Sequence, residues 1–246
     1  MSALVEWVGF WRSRFIYDFK PFNQRKMVRF YRRFVHSGDI CFDIGAHTGN
    51  RSAAFLNIGA NVVAIEPNPA FGELIKNKFS GNSNFTLSTS AIGREKGTAK
   101  LMISLRYPSI STLSDEWKDV MLGYQSSLKW EKVQMVNVIT LDELIDTYGM
   151  PSFCKIDVEG FEEEALLGLN RPLKALSFEF FPTTSSRSIA CINRLTSLGK
   201  YQFNWSLTES FTLISKIWLT EKQMISEIEN YQGRKSGDIY ALLHQT

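Results

Sequence analysis

The chain has 246 residues, 44% of them hydrophobic and 13% aromatic, enough to build a sizeable core, and one domain is expected. Its three cysteines, Cys41, Cys154 and Cys191, are odd in number and form no C-x-x-C pair, which suggests neither a disulfide framework nor a zinc site and fits a reducing, cytoplasmic compartment. The net charge of +3 hides an asymmetry: residues 1–36 hold eight Lys/Arg against Glu6 and Asp18, so this segment is +6 and the remainder about −3.

The opening residues lack a basic n-region and carry Glu6 inside their apolar stretch, so they do not read as a signal peptide. No apolar run approaches the roughly 18 residues of a membrane span. Leu4, Trp7, Val8, Trp11 and Phe15 recur at helical spacing among arginines, and "NQRKMVRFYRRFV" follows Pro21, so two helices are predicted. Either their apolar faces pack on the main domain, or the basic face meets a membrane surface or a nucleic acid. We read residues 1–36 as a basic helical arm and 37–246 as the principal domain.

From residue 39, short apolar runs alternate with helical patterns, the signature of a parallel sheet covered on both faces. "DICFDIG" is a strand, "NRSAAFLNIG" a helix ending at Gly59, "NVVAIEP" a strand closed by Pro67, "PAFGELIKNKF" a helix and "NFTLSTSAIG" a third strand. Residues 98–136 break the rhythm: after a strand at "TAKLMIS", the polar and aromatic "YPSISTLSDEWKDVMLGYQSSLKWEK" reads as a lid or substrate loop. The pattern resumes with "VQMVNVI" and a helix opened by a capping box, Thr140 with Glu143. "SFCKIDV", "FEEEALLGL" and "KALSFEFF" follow as strand, helix and strand. Residues 187–198 are helical, "YQFNWSL" is extended, Thr220 with Gln223 caps another helix, and "DIYALLH" is expected as an edge strand.

Three stretches carry chemistry. "FDIGAHTGN" runs from strand through a glycine turn into a helix, which lets backbone approach a ligand. It is not the G-x-G-x-x-G dinucleotide fingerprint, and Asp43 suits a cationic ligand such as an ammonium group; the alternative is a purely structural tight turn. Glu66 ends the next strand, where a carboxylate can accept both hydroxyls of a ribose at the carboxyl edge of the sheet, so a nucleoside is implied. "SAIG" at 90–93 could frame an adenine or be a plain strand end. In "FCKIDVEGFE", Lys155, Asp157 and Glu159 alternate along what would be a central strand and share one face by its period of two. There the lysine can pair with a carboxylate and shift its pKa, or the trio can simply hold the strand end.

"FDIGAHTG", "AIEPNP", "AIG", "ITLDEL" and "KIDVEGFEEEALLG", in this order and spacing over roughly residues 38–180, resemble the FkbM family of S-adenosylmethionine-dependent methyltransferases. The resemblance implies the class I methyltransferase fold, a Rossmann-like three-layer α/β sandwich whose mostly parallel seven-stranded sheet has one antiparallel strand. It implies methylation of hydroxyl oxygens of sugars, glycolipids, polysaccharides or polyketide-type metabolites. By that similarity Asp43, Gly45 and Gly49, with Ala46 and Ser52, cradle the methionine end of the cofactor S-adenosyl-L-methionine. Glu66 and Pro67 hold the ribose, Ser90 and Ala91 lie near the adenine, and Asp157 sits beside the transferred methyl.

Transfer to an alcohol needs help in removing a proton. Asp157 or Glu159 is the expected base with Lys155 orienting one of them; His47 is a lesser candidate. The Asp157/Glu159 pair could also bind a divalent cation, but no second His- or Asp-rich cluster supports this, and no metal is expected. Arg106, Tyr107, Ser109, Ser111, Trp117, Tyr124 and Trp130 mix stacking faces with polar donors that suit a sugar, and Glu179 also faces the crevice edge. The expected partner is a small-molecule or glycan acceptor. A nucleic-acid substrate is disfavoured by the lack of an N-P-P-Y-like motif, an NAD enzyme by the missing third glycine and by Asp43. Membrane contact through residues 1–36 and a non-catalytic role on the same fold stay open, and the sequence fixes no oligomeric state.

Overall fold

The computed structural model describes residues 21–244. The helix expected over residues 4–20 lies outside the described residues. The second one is present as α1, Pro21–Tyr31. Its apolar face is part of the core: Met27, Phe30 and Tyr31, followed by Phe34 and Val35, are buried against Phe55, Phe153 and Tyr240. Phe30 and Phe34 meet Tyr240 with ring centroids 5.0 and 5.9 Å apart.

The alternating pattern builds β1 (Ile40–Ile44), α2 (Asn50–Ile58), β2 (Asn61–Ile65), α3 (Pro69–Lys78) and β3 (Phe85–Ser88). After a small second sheet come α5 (Leu141–Tyr148), β7 (Phe153–Ile156), α6 (Glu162–Leu167), β8 (Ala175–Phe180), α7 (Ser185–Leu198), β9 (Tyr201–Leu207), α8 (Glu221–Asn230) and β10 (Gly237–Leu243). The main sheet has seven strands in the order β3-β2-β1-β7-β8-β10-β9, and β10 alone runs antiparallel to its neighbours. This is the expected sheet with its one reversed strand. Helices α1, α2 and α3 cover one face, while α5, α6, α7 and α8 cover the other through Leu144, Leu166, Ile192, Leu195 and Met224. Both anticipated capping boxes close: Thr140 and Glu143 bond reciprocally, as do Thr220 and Gln223.

Three expectations change. The third strand leaves the main sheet at Ser88; Ala91–Ile92 (β4) pairs instead with β6 (Lys132–Ile139), which also pairs antiparallel with β5 (Gly97–Ile103). β3 is a short, half-exposed edge strand, and past Ser88 the polar Thr89 and Ser90 lead the chain away from it. The stretch after β5 is not all loop, because Asp115–Tyr124 forms helix α4; Ser114 caps it by accepting from the Trp117 N–H at 3.1 Å, and Asp115 and Glu116 complement its positive end. Finally, "DIYALLH" is no edge strand. β10 inserts between β8 and β9, and Ile239, Tyr240 and Ala241 are fully buried in succession, as a strand covered on both faces must be.

Candidate active site

The carboxyl ends of β1, β2, β7 and β8 open into a cleft of about 410 Å³, the position where open α/β sheets bind ligands. At its floor β1 turns sharply. Gly45 has φ +77°, and a Cβ there would lie 1.8 Å from the Asp157 carbonyl oxygen, so only glycine lets these two loops meet. The Asp157 N–H donates to the Ile44 carbonyl at 3.0 Å, and the N–H groups of Gly45 and Ala46 both donate to Ile65. The two loops and β2 are thereby locked at one point.

One half of the cleft is lined by Asp43, Gly45, Ala46, His47, Glu66, Pro67, Asn68, Phe71, Ala91 and Ile92. Each Glu66 oxygen accepts one backbone N–H, from His47 at 2.7 Å and from Asn68 at 2.8 Å. Burial nevertheless pushes its carboxyl up to about 7, the two N–H groups pulling the other way and Asp43 adding to the rise. Asp43, almost fully buried, accepts from the Ser52 hydroxyl at 2.6 Å and is raised by its own burial. Asn68 caps α3 through its side-chain oxygen while its buried amide nitrogen has no partner among the described residues, a donor left for a ligand.

Not every residue assigned here faces the cleft. Ser52 lies behind Asp43 and acts through it. Gly49 is enclosed by α3, where an added Cβ would come within 2.8 Å of the Phe79 ring. Ser90 lies outside the lining, which its neighbours Ala91 and Ile92 provide.

The other half is acidic. Lys155, 1% exposed, sends its ammonium to Asp157 at 3.1 Å and to Asp238 at 3.0 Å. Arg51 bonds Glu209 at 3.1 Å and approaches Asp238 at 4.0 Å. Burial would raise the Asp157 carboxyl, but Lys155 and Arg51 hold it below its usual value. At Glu159 and Glu179 burial first, then repulsion from Asp157, outweighs the weaker pull of Lys155 and pushes both well above the ordinary carboxylate range. Carboxylate oxygens of Asp157, Glu159 and Glu179 lie within 4.8 Å of one another, so Glu179, expected at the crevice edge, stands beside Asp157 and Glu159 as a third acid.

The alternation read across 155–159 stops early. β7 ends at Ile156, and Glu159 is aimed by a left-handed backbone at φ +52°, a conformation costing a non-glycine residue about 1–2 kcal/mol. His47 and Thr208, also in the lining, share φ +52°; such strain gathers at ligand sites. The loop is held by Glu162, which accepts from the N–H groups of Val158 at 2.9 Å and Gly160 at 3.3 Å, and by the Thr112 hydroxyl, which donates to the Glu159 carbonyl at 2.7 Å. This gives the first acid of "FEEE" a structural task.

Over this half lies the segment before α4. Pro108, Ser109, Ser111 and Leu113 line the cleft. Arg106 and Tyr107 do not; the Arg106 guanidinium stacks over the Tyr107 ring at 5.6 Å. Trp117 is buried against Phe181 with centroids 4.9 Å apart, Tyr124 bonds Thr183 at 3.0 Å, and the Trp130 indole donates to the Ile110 carbonyl at 2.9 Å. These aromatics hold the roof rather than face a ligand. Arg187 fastens it, bonding Glu116 and the Gly160 carbonyl. Residues missed from sequence are Arg51, Asn68, Phe71, Glu209 and Asp238. Asn68 sat inside a motif already singled out, whereas Asp238 is brought in only by the insertion of β10.

A hexuronic acid methyltransferase, AglP of Haloferax volcanii, is 27% identical over 161 residues, covering 63% of this chain. The chain spans 60% of that relative's length. Among solved structures, a precorrin-6y C5,15-methyltransferase from Geobacter metallireducens overlays with TM-score 0.47 at 14% identity, covering 89% of this chain and 87% of that one. A TehB-like S-adenosylmethionine-dependent methyltransferase from Corynebacterium glutamicum gives 0.46 at 12%, with coverages of 89% and 88%. The family model of the methyltransferase FkbM domain matches residues 43–201, from Asp43 in the glycine turn through the Asp157 loop, and the chain belongs to this family of methyltransferases.

Proposed function

We propose that this protein is an S-adenosylmethionine-dependent O-methyltransferase whose acceptor is a hydroxyl of a sugar, a glycolipid or polysaccharide, or a polyketide-type metabolite. The observation that carries the reading is one cleft with two chemically different halves joined at Gly45 and Asp157. The first half fits the cofactor: Glu66 presents a buried carboxylate to ribose hydroxyls, the unpartnered Asn68 amide offers a donor, and Asp43 is placed for a cationic group. When bound, S-adenosylmethionine supplies an electrophilic methyl group.

The chain's own part in the reaction is to take a proton from the acceptor hydroxyl and hold its oxygen in place. Asp157, neutralised by Lys155, is the weaker base and the better hydrogen-bond acceptor for orientation. Glu159, made more basic by burial and by its acidic neighbours, is the stronger candidate to receive the proton, with Glu179 able to share it. Ser109 and Ser111 on the roof offer hydroxyls to a sugar. The hexuronic acid named for the Haloferax relative supports a sugar among these acceptors. The three buried free thiols Cys41, Cys154 and Cys191 support a reducing, cytoplasmic setting.

The test is calorimetric titration with S-adenosylmethionine, S-adenosylhomocysteine and NAD, followed by methyl transfer to hydroxylated acceptors. Binding of the first two without NAD is expected. Binding of NAD alone, or of nothing, overturns the cofactor reading, and transfer only to nitrogen or carbon overturns the acceptor class.

A further inference from the structure

The basic side chains of α1 and of the turn that follows it lie at the surface, Arg33 stacking over the Phe30 ring at 5.5 Å. Arg25, Lys26, Arg29, Arg32 and Arg33 are all exposed, while Met27, Phe30 and Tyr31 of the same stretch are buried. Positions 25 and 29 fall on one stripe of the helix that Arg32 continues in the turn after it, with 26 and 33 beside it, over about 12 Å. No acidic residue lies between Lys20 and Ser37, and among the described residues none of the five cations is in an ion pair. Arg25, Arg29 and Arg32 line a shallow groove of about 380 Å³ with Gln24, Val28 and Asn57 of α2.

We propose that this face of α1, centred on the Arg25–Arg29–Arg32 groove, docks the protein on a membrane surface rich in anionic phospholipids. The three exposed guanidiniums offer the forked donors that phosphodiester and carboxylate headgroups accept. The apolar face of α1 is committed to the core, so attachment through this helix is electrostatic and peripheral. On the other side of the helix from this stripe, Asn23 at the start of α1 donates to Glu209 at 3.0 Å, and Glu209 in turn holds Arg51 in the cleft wall, so α1 is fixed to the domain with its basic face outward.

A nucleic acid would use the same cations but would have to lead its phosphates past Glu209 and Asp238 to Asp157, Glu159 and Glu179, all of which repel it. A membrane asks nothing of the cleft and engages only the basic face.

The experiment is co-sedimentation of the full chain with phosphatidylcholine vesicles, with and without phosphatidylserine, across a salt titration. Binding only to the anionic vesicles, released by salt, is expected. In the variant Arg25→Gln/Arg29→Gln/Arg32→Gln affinity should fall by about fivefold per charge removed, while thermal unfolding and S-adenosylmethionine binding stay as in the wild type. Wild-type chain that ignores phosphatidylserine, a folded variant that binds as tightly as wild type, or binding to structured RNA at a salt concentration that already releases the vesicles would each overturn the proposal. The salt titration of the wild type decides the electrostatic character without any variant.

Discussion

Glu66 allows the cofactor half to be tested by pH alone. Its carboxyl is raised from 4.5 to about 7 by burial, yet ribose hydroxyls are donors and favour the ionised form. If the cofactor binds only the carboxylate, the apparent Kd should weaken about tenfold between pH 8 and pH 6, roughly 1.4 kcal/mol for one unit below the pKa. Folding has the opposite dependence. Between 4.5 and about 7 the native state keeps a proton on Glu66 that the unfolded chain has released, so this contribution to stability is full below 4.5 and lost as pH rises through 7. Over that window it amounts to about 3 kcal/mol. Glu66→Gln should flatten both profiles, and any slope that survives it belongs to Asp43, the other buried carboxyl of this half. Calorimetric titration with S-adenosylmethionine from pH 6 to 8, beside urea unfolding from pH 4.5 to 7.5, measures the two effects. A wild-type Kd that does not change with pH, or an equal slope in Glu66→Gln, would refute the assignment of Glu66 to the ribose.

Other substitutions separate the parts of the site. Lys155→Met leaves Asp157 and Asp238 without their shared cation, and urea unfolding should record a loss of about 3–5 kcal/mol; a change below 1 kcal/mol would mean that the pair contributes little. Gly45→Ala drives a Cβ into the Asp157 carbonyl at a φ unfavourable for alanine, so either expression of folded protein or cofactor binding should be lost, and a variant that folds and binds normally would contradict the close approach. Glu159→Gln should lower kcat by about a hundredfold or more with the cofactor Kd near wild type, whereas Asp157→Asn should disturb both; the reverse pattern would move the base to Asp157. Chelation with EDTA is expected to leave turnover unchanged, and a loss restored by magnesium would reassign Asp157, Glu159 and Glu179 to a cation.

Much of the architecture was legible because its signals are local. Apolar runs, Gly59 after α2, the Asn68–Pro69 start of α3 and the two capping boxes each depend on residues within a few positions of one another. Gly45, Glu66 and Asp157 could be picked out for the same reason, since each ends or follows a strand at the carboxyl edge. What could not be read depends on tertiary pairing. Nothing near Asp238 says that β10 will slide between β8 and β9 and carry its carboxylate to Lys155. The roof failed differently: aromatic side chains in a polar stretch suit a sugar and a structural contact equally well, and Trp117 was buried while Trp130 bonded the Ile110 carbonyl.

The placement of β10 also bears on how the molecule assembles. β9 is held to the sheet only through β10, and Lys155 gains its second carboxylate only when β10 arrives, eighty-odd residues downstream of β7. The pairing is non-local, though less so than that of β1 with β7, and non-local pairing is of the kind that slows folding. Until it forms, β8 presents a bare hydrogen-bonding edge and the Lys155 ammonium lacks half of its compensation. Closing the sheet and completing the acidic half are therefore a single event, and an intermediate with β10 undocked should hold the glycine turn and Glu66 while lacking a formed acceptor pocket.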